Sequence, residues 1–517
     1  MTPPSLGSFL RLRATRQEQT DVQHEPAGTA SPACPPQDIL RRLRREVPGC
    51  PFLSQPEELR PYECDGLTAY RETPWAVAIP ESVAQVQEIL RICHALHLPV
   101  IPRGAGTGLS GGALPRRDGL LLSMARFRKI LALDPLNRTA RVEPGVTTRA
   151  ISEAAAPHGL FYAPDPSSEV ACTIGGNIAE NAGGLHCLKY GLTIHNVLST
   201  KIVSPDGELL TLGAEALDSA GFDLLALFVG SEGLLGVAVE ATVRLLPRPP
   251  LARLIVAAFA SVDSAAAAVG KLIGRGFVPA GLEMMDNLAI RAAEKFVHAG
   301  YPVDAAALLL CECDGPPEEV DEQIALAEGE LREAGAYFLR VSCSEQERLL
   351  LWKGRKSAFP AAGRMAPDYY CMDGTIPRRA MPEALRRIGR LSKEYGLPVA
   401  NVFHAGDGNL HPLILYDASR PEELKRAEHL GGRISELCVE LGGVITGEHG
   451  VGVEKLDQMC IQFRAPELAQ FHRIKAAFDP DGILNPGKAV PLLHRCAELG
   501  AMHVHGGKLP FPELERF

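Results

Sequence analysis

Apolar and polar positions alternate between two periods from residue 75 onward. WAVAIP (75–80), LPVIP (98–102), LLLSM (120–124), ILALD (130–134) and ARVEPGV (140–146) are short apolar or alternating runs that predict strands. Between the first two lies ESVAQVQEILRICHAL, where Val83, Val86, Leu90 and Cys93 make one apolar stripe. That spacing predicts an amphipathic helix opening at Pro80 and Glu81. A second helix is expected over TTRAISEAAAPHG (147–159), and strands over KIVSPDGELLTL (201–212) and GVAVEATVRLLP (236–247).

The Pro-rich segment LLPRPPLARL (245–254) is the clearest boundary. Beyond it, strands such as LIVAAFA, LEMMD, ALLLCECD and YFLRV alternate with helical patterns near 262–275 and 317–335. The pattern predicts an α+β unit with helices on one face of a mostly antiparallel sheet. A final helical stretch, PELAQFHRIKAAFDP, ends at the loop DGILNPGKAV, and no repeat of solenoid period is present. Four segments are therefore expected: 1–35 disordered or loosely attached, 36–249, 250–490, and a tail 491–517.

At 517 residues the chain exceeds one ordinary core, consistent with two main domains. A net charge of −9 and a pI near 6.0 argue against nucleic acid as the partner. No apolar stretch reaches the ~20 residues of a transmembrane helix, and the N-terminus lacks the apolar core of a signal peptide. Thirteen cysteines are scattered without a CxxC pair. That usage suits a reduced, cytoplasmic protein and excludes an ordinary Cys-ligated iron–sulfur cluster within this chain.

Glycine is the residue that clusters. In PRGAGTGLSGGALP (102–115), Gly104, Gly106, Gly108, Gly111 and Gly112 leave backbone amides unshielded, with hydroxyls from Thr107 and Ser110. Converging amides suit a diphosphate, although the same composition also serves a flexible surface loop. Two further polar, glycine-rich surfaces follow, at 164–197 (Gly175-Gly176, Gly183-Gly184, Ser167, Thr173, Asn177, Asn181) and in GSEGLLG (230–236). Three such loops in one domain imply a large, extended ligand.

FHAGDGNLH (403–411) lies between the β-prone runs LPVANVF and LHPLILY. Asp407-Gly408 is a strong two-residue turn signal, which would oppose Gly406 to Asn409, Ala405 to Leu410 and His404 to His411. Directly opposed residues have Cβ atoms roughly 5 Å apart. At that separation two imidazoles can share an ion, or simply hydrogen-bond and steady the hairpin.

The segments PRGAGTGLSGG, PDPSS…TIGGNIAENAGG and GSEGLLG together resemble the PCMH-type flavin-binding domain of the vanillyl-alcohol-oxidase superfamily. HAGDGNLH, TGEHGVG and FDPDGILNPGK resemble its FAD-linked oxidase C-terminal cap. The resemblance spans roughly residues 60–490, and the tail resembles that of FAD-bearing subunits in bacterial glycolate-oxidising complexes. It implies an α+β fold: a two-part PCMH-type FAD-binding domain followed by a cap of helices on a mostly antiparallel sheet.

By position, the resemblance puts Pro102, Arg103, Gly104, Ala105, Gly106, Thr107, Gly108, Leu109, Ser110 and Gly111 around the FAD pyrophosphate. Pro164, Ser167, Thr173, Gly175, Gly176, Asn177, Asn181, Gly183 and Gly184 would line the isoalloxazine and ribityl chain. Glu232, Gly236, Val237 and Asn485 would complete the pocket. The first loop holds no His or Cys, so noncovalent FAD is expected. His404, His411 and Glu448 would hold a divalent metal, which two imidazoles and a carboxylate make Zn²⁺, with Mn²⁺ or Fe²⁺ as alternatives. A metal-free site in which these groups hydrogen-bond substrate is the other reading.

His449 is then the candidate general base, Arg355 the partner of a substrate carboxylate, and Asn409 a further substrate contact. For Arg355 the bland alternative is a solvated helix charge beside Lys353 and Lys356; for His449, a residue that only orients Glu448. The implied reaction is FAD-dependent oxidation of a small D-2-hydroxy acid, glycolate or D-lactate. Cys371 and Met372 stand where relatives taking dicarboxylates carry a lysine, although Arg378 or Arg379 can compensate. Electrons would pass to a second flavin-domain-like subunit and an iron–sulfur subunit, with membrane contact at most peripheral through these partners. Competing readings are a stand-alone D-lactate or D-2-hydroxyglutarate dehydrogenase, an alkyl-transferring synthase without net oxidation, and a non-catalytic scaffold.

Overall fold

Ser82, not Pro80 or Glu81, starts the first helix of the flavin-type half: its hydroxyl accepts the Gln85 amide, and Val83–Ala95 follows. The structure is a computed structural model and describes residues 36–216 and 220–491. The expectations for residues 1–35 and for the docking tail beyond Pro491 lie outside the described residues. The first sheet runs Phe52–Leu53, Ala76–Ala78, Leu120–Ser123, Val100–Arg103, the last three parallel and the first antiparallel. These strands are apolar on both faces: helices Val83–Ala95 and Pro36–Glu46 cover Ala76, Ala78, Leu120 and Leu122, and Leu59 with Tyr62 covers Val77 and Leu121 on the other side.

A second, five-stranded antiparallel sheet follows in the order Ile130–Asp134, Thr139–Val142, Val237–Arg244, Val197–Val203, Leu209–Gly213. The glycine loops of 102–115, 164–184 and 230–236 all lie where these two sheets meet. Strand Val100–Arg103 also carries a bridge from Leu484, so the end of the described chain returns to the flavin-type half.

The C-terminal unit is one seven-stranded antiparallel sheet, ordered Ala336–Val341, Leu251–Phe259, Ala307–Gly315, Gly281–Asp286, Val399–His404, Asn409–Tyr416, Asp368–Cys371. Helices cover both of its faces, not one. Ile255, Ala257 and Phe259 pack with helices Val262–Gly274, Pro317–Glu333, Met381–Tyr395 and Pro421–Glu440. Leu254, Val256 and Ala258 point the other way, onto Asn287–Val297 and Glu345–Lys356. The reason is in the sequence: ALLLCECD is buried at every position of its run instead of alternating, as strands covered twice must be.

Candidate functional site

The hairpin register differs from the two-residue turn. His404 opposes Asn409, Phe403 opposes Leu410, and His411 opposes Val402, so the connection is the four residues Ala405–Gly408. Three local bonds account for it. Gly408, at φ +88°, donates its amide to the His404 carbonyl, and Asp407 caps the Asn409 amide. Arg378 donates to the Gly406 carbonyl and does not line the cavity. The displacement is two positions, so the histidines keep one face. Their rings lie 4.9 Å apart, edge to face, with Asn409 between them on the same side.

Glu448 meets both rings: its Oε1 is 3.2 Å from His404 Nε2 and 3.0 Å from His411 Nε2. Burial alone would raise the Glu448 carboxyl, but the two imidazoles hold it well below the usual range. His404 moves the opposite way: against its burial, Glu283 and Glu448 push its pKa well above that of free histidine. His449 stacks on His411 at 5.0 Å. Burial presses its pKa down to about 4, and its Nδ1 has no hydrogen-bond partner. Burial thus favours the neutral form of this imidazole.

The glycine-flanked loop that carries Glu448 and His449 is fixed from two sides. Asp373 accepts the amides of Gly447, Glu448 and His449 and the Thr446 hydroxyl. Glu232, from the flavin-type half, accepts the Val451 and Gly452 amides at 2.7 Å each. The Ser110 carbonyl accepts those of Val453 and Glu454.

Arg355 is fully buried, which removes the solvated-charge alternative. Its Nη2 lies 2.6 Å from Glu283 Oε2 as an ion pair, and none of its three nitrogens makes a hydrogen bond within the protein. Arg355, His404, His411, Glu448 and His449 all line one cavity of about 650 Å³, within the usual range of ligand sites. Its other end is walled by the glycine loops, from Pro102 to Leu109 and by Ser167, Thr173, Gly175, Gly176, Asn177, Glu232, Gly236 and Val237.

Several glycines there are required by space. A Cβ on Gly104 would lie 2.5 Å from Thr173 Oγ1, and one on Gly106 (φ +70°) 2.2 Å from Arg103 Nη2. Arg103 itself donates to the Cys64 and Ala113 carbonyls, bracing the loop from beneath. Asn177 Nδ2 and Glu180 Oε2 are buried at the cavity without partners. An elongated space lined by backbone and by such unmet polar atoms fits a dinucleotide.

Ser110, Gly111, Pro164, Asn181, Gly183, Gly184, Asn409 and Asn485 do not line the cavity; they shape it. Asn485 donates to the Gly112 and Glu232 carbonyls, Asn181 caps a helix, and Gly183 makes room for Glu448. No local pattern marks Glu283, Glu180, Lys488 or Asp373 as functional residues. Lys488, in the NPGK loop, donates to the Gly112 carbonyl.

Among the described residues, two groups place donor atoms mutually within 4.8 Å: Cys371, His411 and His449, and Asp373, His411, Glu448 and His449. His404 is in neither and joins through Glu448. Imidazole and carboxylate donors of this kind fit a divalent ion.

Two family descriptions match the chain: "FAD binding domain" over residues 74–213 and "FAD linked oxidases, C-terminal domain" over residues 248–489. Glycolate oxidase subunit GlcD of Escherichia coli (strain K12) is 63% identical over 479 residues, 93% of this chain and 96% of that protein. The Bacillus subtilis (strain 168) protein of the same name is 39% identical, covering 83% of this chain and 91% of that protein. A D-lactate dehydrogenase of Archaeoglobus fulgidus is 36% identical, covering 80% and 91%. A crystal structure of p-cresol methylhydroxylase with substrate bound shares the fold at TM-score 0.76 and 18% identity, covering 89% of this chain and 97% of that one. The chain belongs to the FAD-linked oxidase family.

Proposed function

We propose that the chain is the flavin-bearing subunit of a glycolate oxidase, oxidising a small D-2-hydroxy acid to the 2-keto acid. One observation carries the reading. Arg355, His404, His411, Glu448 and His449 converge at the cap end of the flavin cavity, and the buried donors of Arg355 and the Nδ1 of His449 have no protein partner. The relatives named glycolate oxidase subunit support it.

The residues divide the work. The buried guanidinium of Arg355, lining the cavity with unmet donors, would pair with the substrate carboxylate and fix its orientation. His404, His411 and Glu448 would hold a divalent ion, Zn²⁺ by donor type, whose charge lowers the pKa of the substrate hydroxyl. His449 Nδ1 accepts that hydroxyl proton; as a neutral base it is competent above about pH 4. Noncovalent FAD, which the loop 102–109 with Thr173, Gly175, Gly176 and Asn177 would hold, would supply the two-electron acceptor that oxidation of the hydroxy acid to the keto acid requires. Phe359 stands 6.1 Å from His411 and 6.2 Å from Tyr369, an aromatic wall that suits a small monocarboxylate.

No helix among the described residues is long and apolar enough to cross a membrane. Reoxidation of the flavin then falls to partners, a second flavin-domain-like subunit and an iron–sulfur subunit, with any membrane contact made through them. Anaerobic mixing with glycolate or D-lactate should bleach the flavin absorbance. Failure of every small 2-hydroxy acid to do so would refute the reading, and faster bleaching by D-lactate would reassign the substrate.

A further inference from the structure

Among the described residues, Glu283 is the one carboxylate that touches both His404 and Arg355. It sits in strand Gly281–Asp286, directly opposite His404 on strand Val399–His404, and is fully buried. A carboxylate in the middle of a central strand costs several kcal/mol unless it is paired. Its side chain points with Met285 toward the face on which helix Glu345–Lys356 packs. There Oε1 lies 2.8 Å from His404 Nδ1, and Oε2 makes a 2.6 Å ion pair with Arg355 Nη2.

Each contact leaves its partner one way to face. With Nδ1 engaged, His404 can present only Nε2 to Glu448 and the cavity. Glu283 Oε2 anchors the charge of Arg355 at 2.6 Å, while the guanidinium nitrogens make no hydrogen bond within the protein and remain available to a ligand. We infer that Glu283 is a positioning residue that couples the ion-holding histidine to the carboxylate-binding arginine, so that losing it loosens both at once. The inference rests on the reading proposed above for His404 and Arg355. Coupling of this kind is reciprocal: substrate bound at Arg355 steadies Glu283, and through it His404.

The test is Glu283→Gln in the full-length holoprotein, with three readouts: Zn²⁺ affinity by competition with a chelator, the KM for glycolate separately from kcat, and nitrogen NMR of selectively labelled histidines in the metal-free protein. Weakening of Zn²⁺ binding by about tenfold to a hundredfold is expected, as for other residues that orient a metal-ligating histidine. KM should rise about tenfold or more from loss of the arginine's anchor, and the His404 ring-nitrogen signals should shift.

A folded variant in which either Zn²⁺ affinity or KM stays within twofold of wild type overturns the coupling. If Glu283→Gln fails to fold, Glu283→Asp decides: one methylene shorter, it cannot span both partners, so at least one constant must move. The function can fail separately. Wild type that holds no Zn²⁺ or is not reduced by glycolate sinks the functional reading, and the Glu283 inference is then judged on the His404 signals alone; unchanged signals reject it.

Discussion

Two imidazoles in this molecule lie between a pair of carboxylates, and only one of them belongs to the candidate site. His404 has Glu283 at Nδ1 (2.8 Å) and Glu448 at Nε2 (3.2 Å). His186 has Asp165 at Nδ1 (2.8 Å) and Glu312 at Nε2 (3.0 Å). In both, the carboxylates overcome burial and raise the imidazole pKa well above 6.5. The difference lies one step further out. Glu312 is closed off by Arg348 at 2.6 Å and by the Trp352 indole, and Asp165 by the backbone amide of His186. Around His404 the chain of contacts ends instead in the free edge of Arg355 and the free Nδ1 of His449. A saturated network joins the two halves of the chain as a strut. An unsaturated one, opening on a cavity, has capacity left for a ligand.

The sharpest break in that comparison is Glu448→Ala. It should lower kcat by about 10³-fold or more, a few kcal/mol of lost charge stabilisation, and remove the bound metal seen by elemental analysis. Unchanged metal in this variant and in His404→Ala would refute the ligand assignment. Next is Arg355→Met, expected to raise KM for glycolate by about a hundredfold, since truncating one side of a buried charge pair costs 2–5 kcal/mol.

The strut should respond in stability instead of turnover. Glu312→Gln should cost about 1–3 kcal/mol, the penalty for a buried donor left unmet, while kcat holds. The sign with pH follows from the two shifts. His186, raised above 6.5, contributes fully below that value and loses its contribution as pH rises through its folded pKa. Glu312, lowered from 4.5 to about 2, contributes fully above 4.5 and loses it as pH falls through about 2. The gap in melting temperature between wild type and Glu312→Gln should therefore be widest between pH 4.5 and 6.5 and shrink on acidification. The smallest effect is expected from Phe359→Ala, which enlarges the open cluster: relative kcat/KM for four-carbon 2-hydroxy acids over glycolate should rise about tenfold.

Much of the frame was legible because it is local. Val83, Val86, Leu90 and Cys93 do form one helical stripe, three of them fully buried. That His404, His411 and Glu448 come together was expected from the family resemblance, and the structure brings both histidines within 3.2 Å of Glu448. The hairpin register was not, because the Gly408 amide bonds the His404 carbonyl and the distant Arg378 holds the Gly406 carbonyl, contacts the two-residue signal does not encode. Glu283 was invisible for a different reason. In LEMMD it reads as one polar position of a half-exposed strand, and the partners that justify it are 121 and 72 residues away (404 − 283 and 355 − 283). His186 shows the converse: nothing local distinguishes its two carboxylates from those of a metal site.

The loop bearing Glu448 and His449 hangs between Asp373 on one side and Glu232 with the Ser110 carbonyl on the other. This bears on how such chains can be recombined. A cap grafted from a relative onto this flavin-type half would bring its own loop, yet that loop finds its place only if the host supplies a Glu232-type acceptor at the right height. The two halves are thus inherited as a matched set. Chimeras that keep Glu232, Asp373 and residues 446–454 from one parent should retain turnover, whereas those that divide them between parents should bind flavin and remain inert.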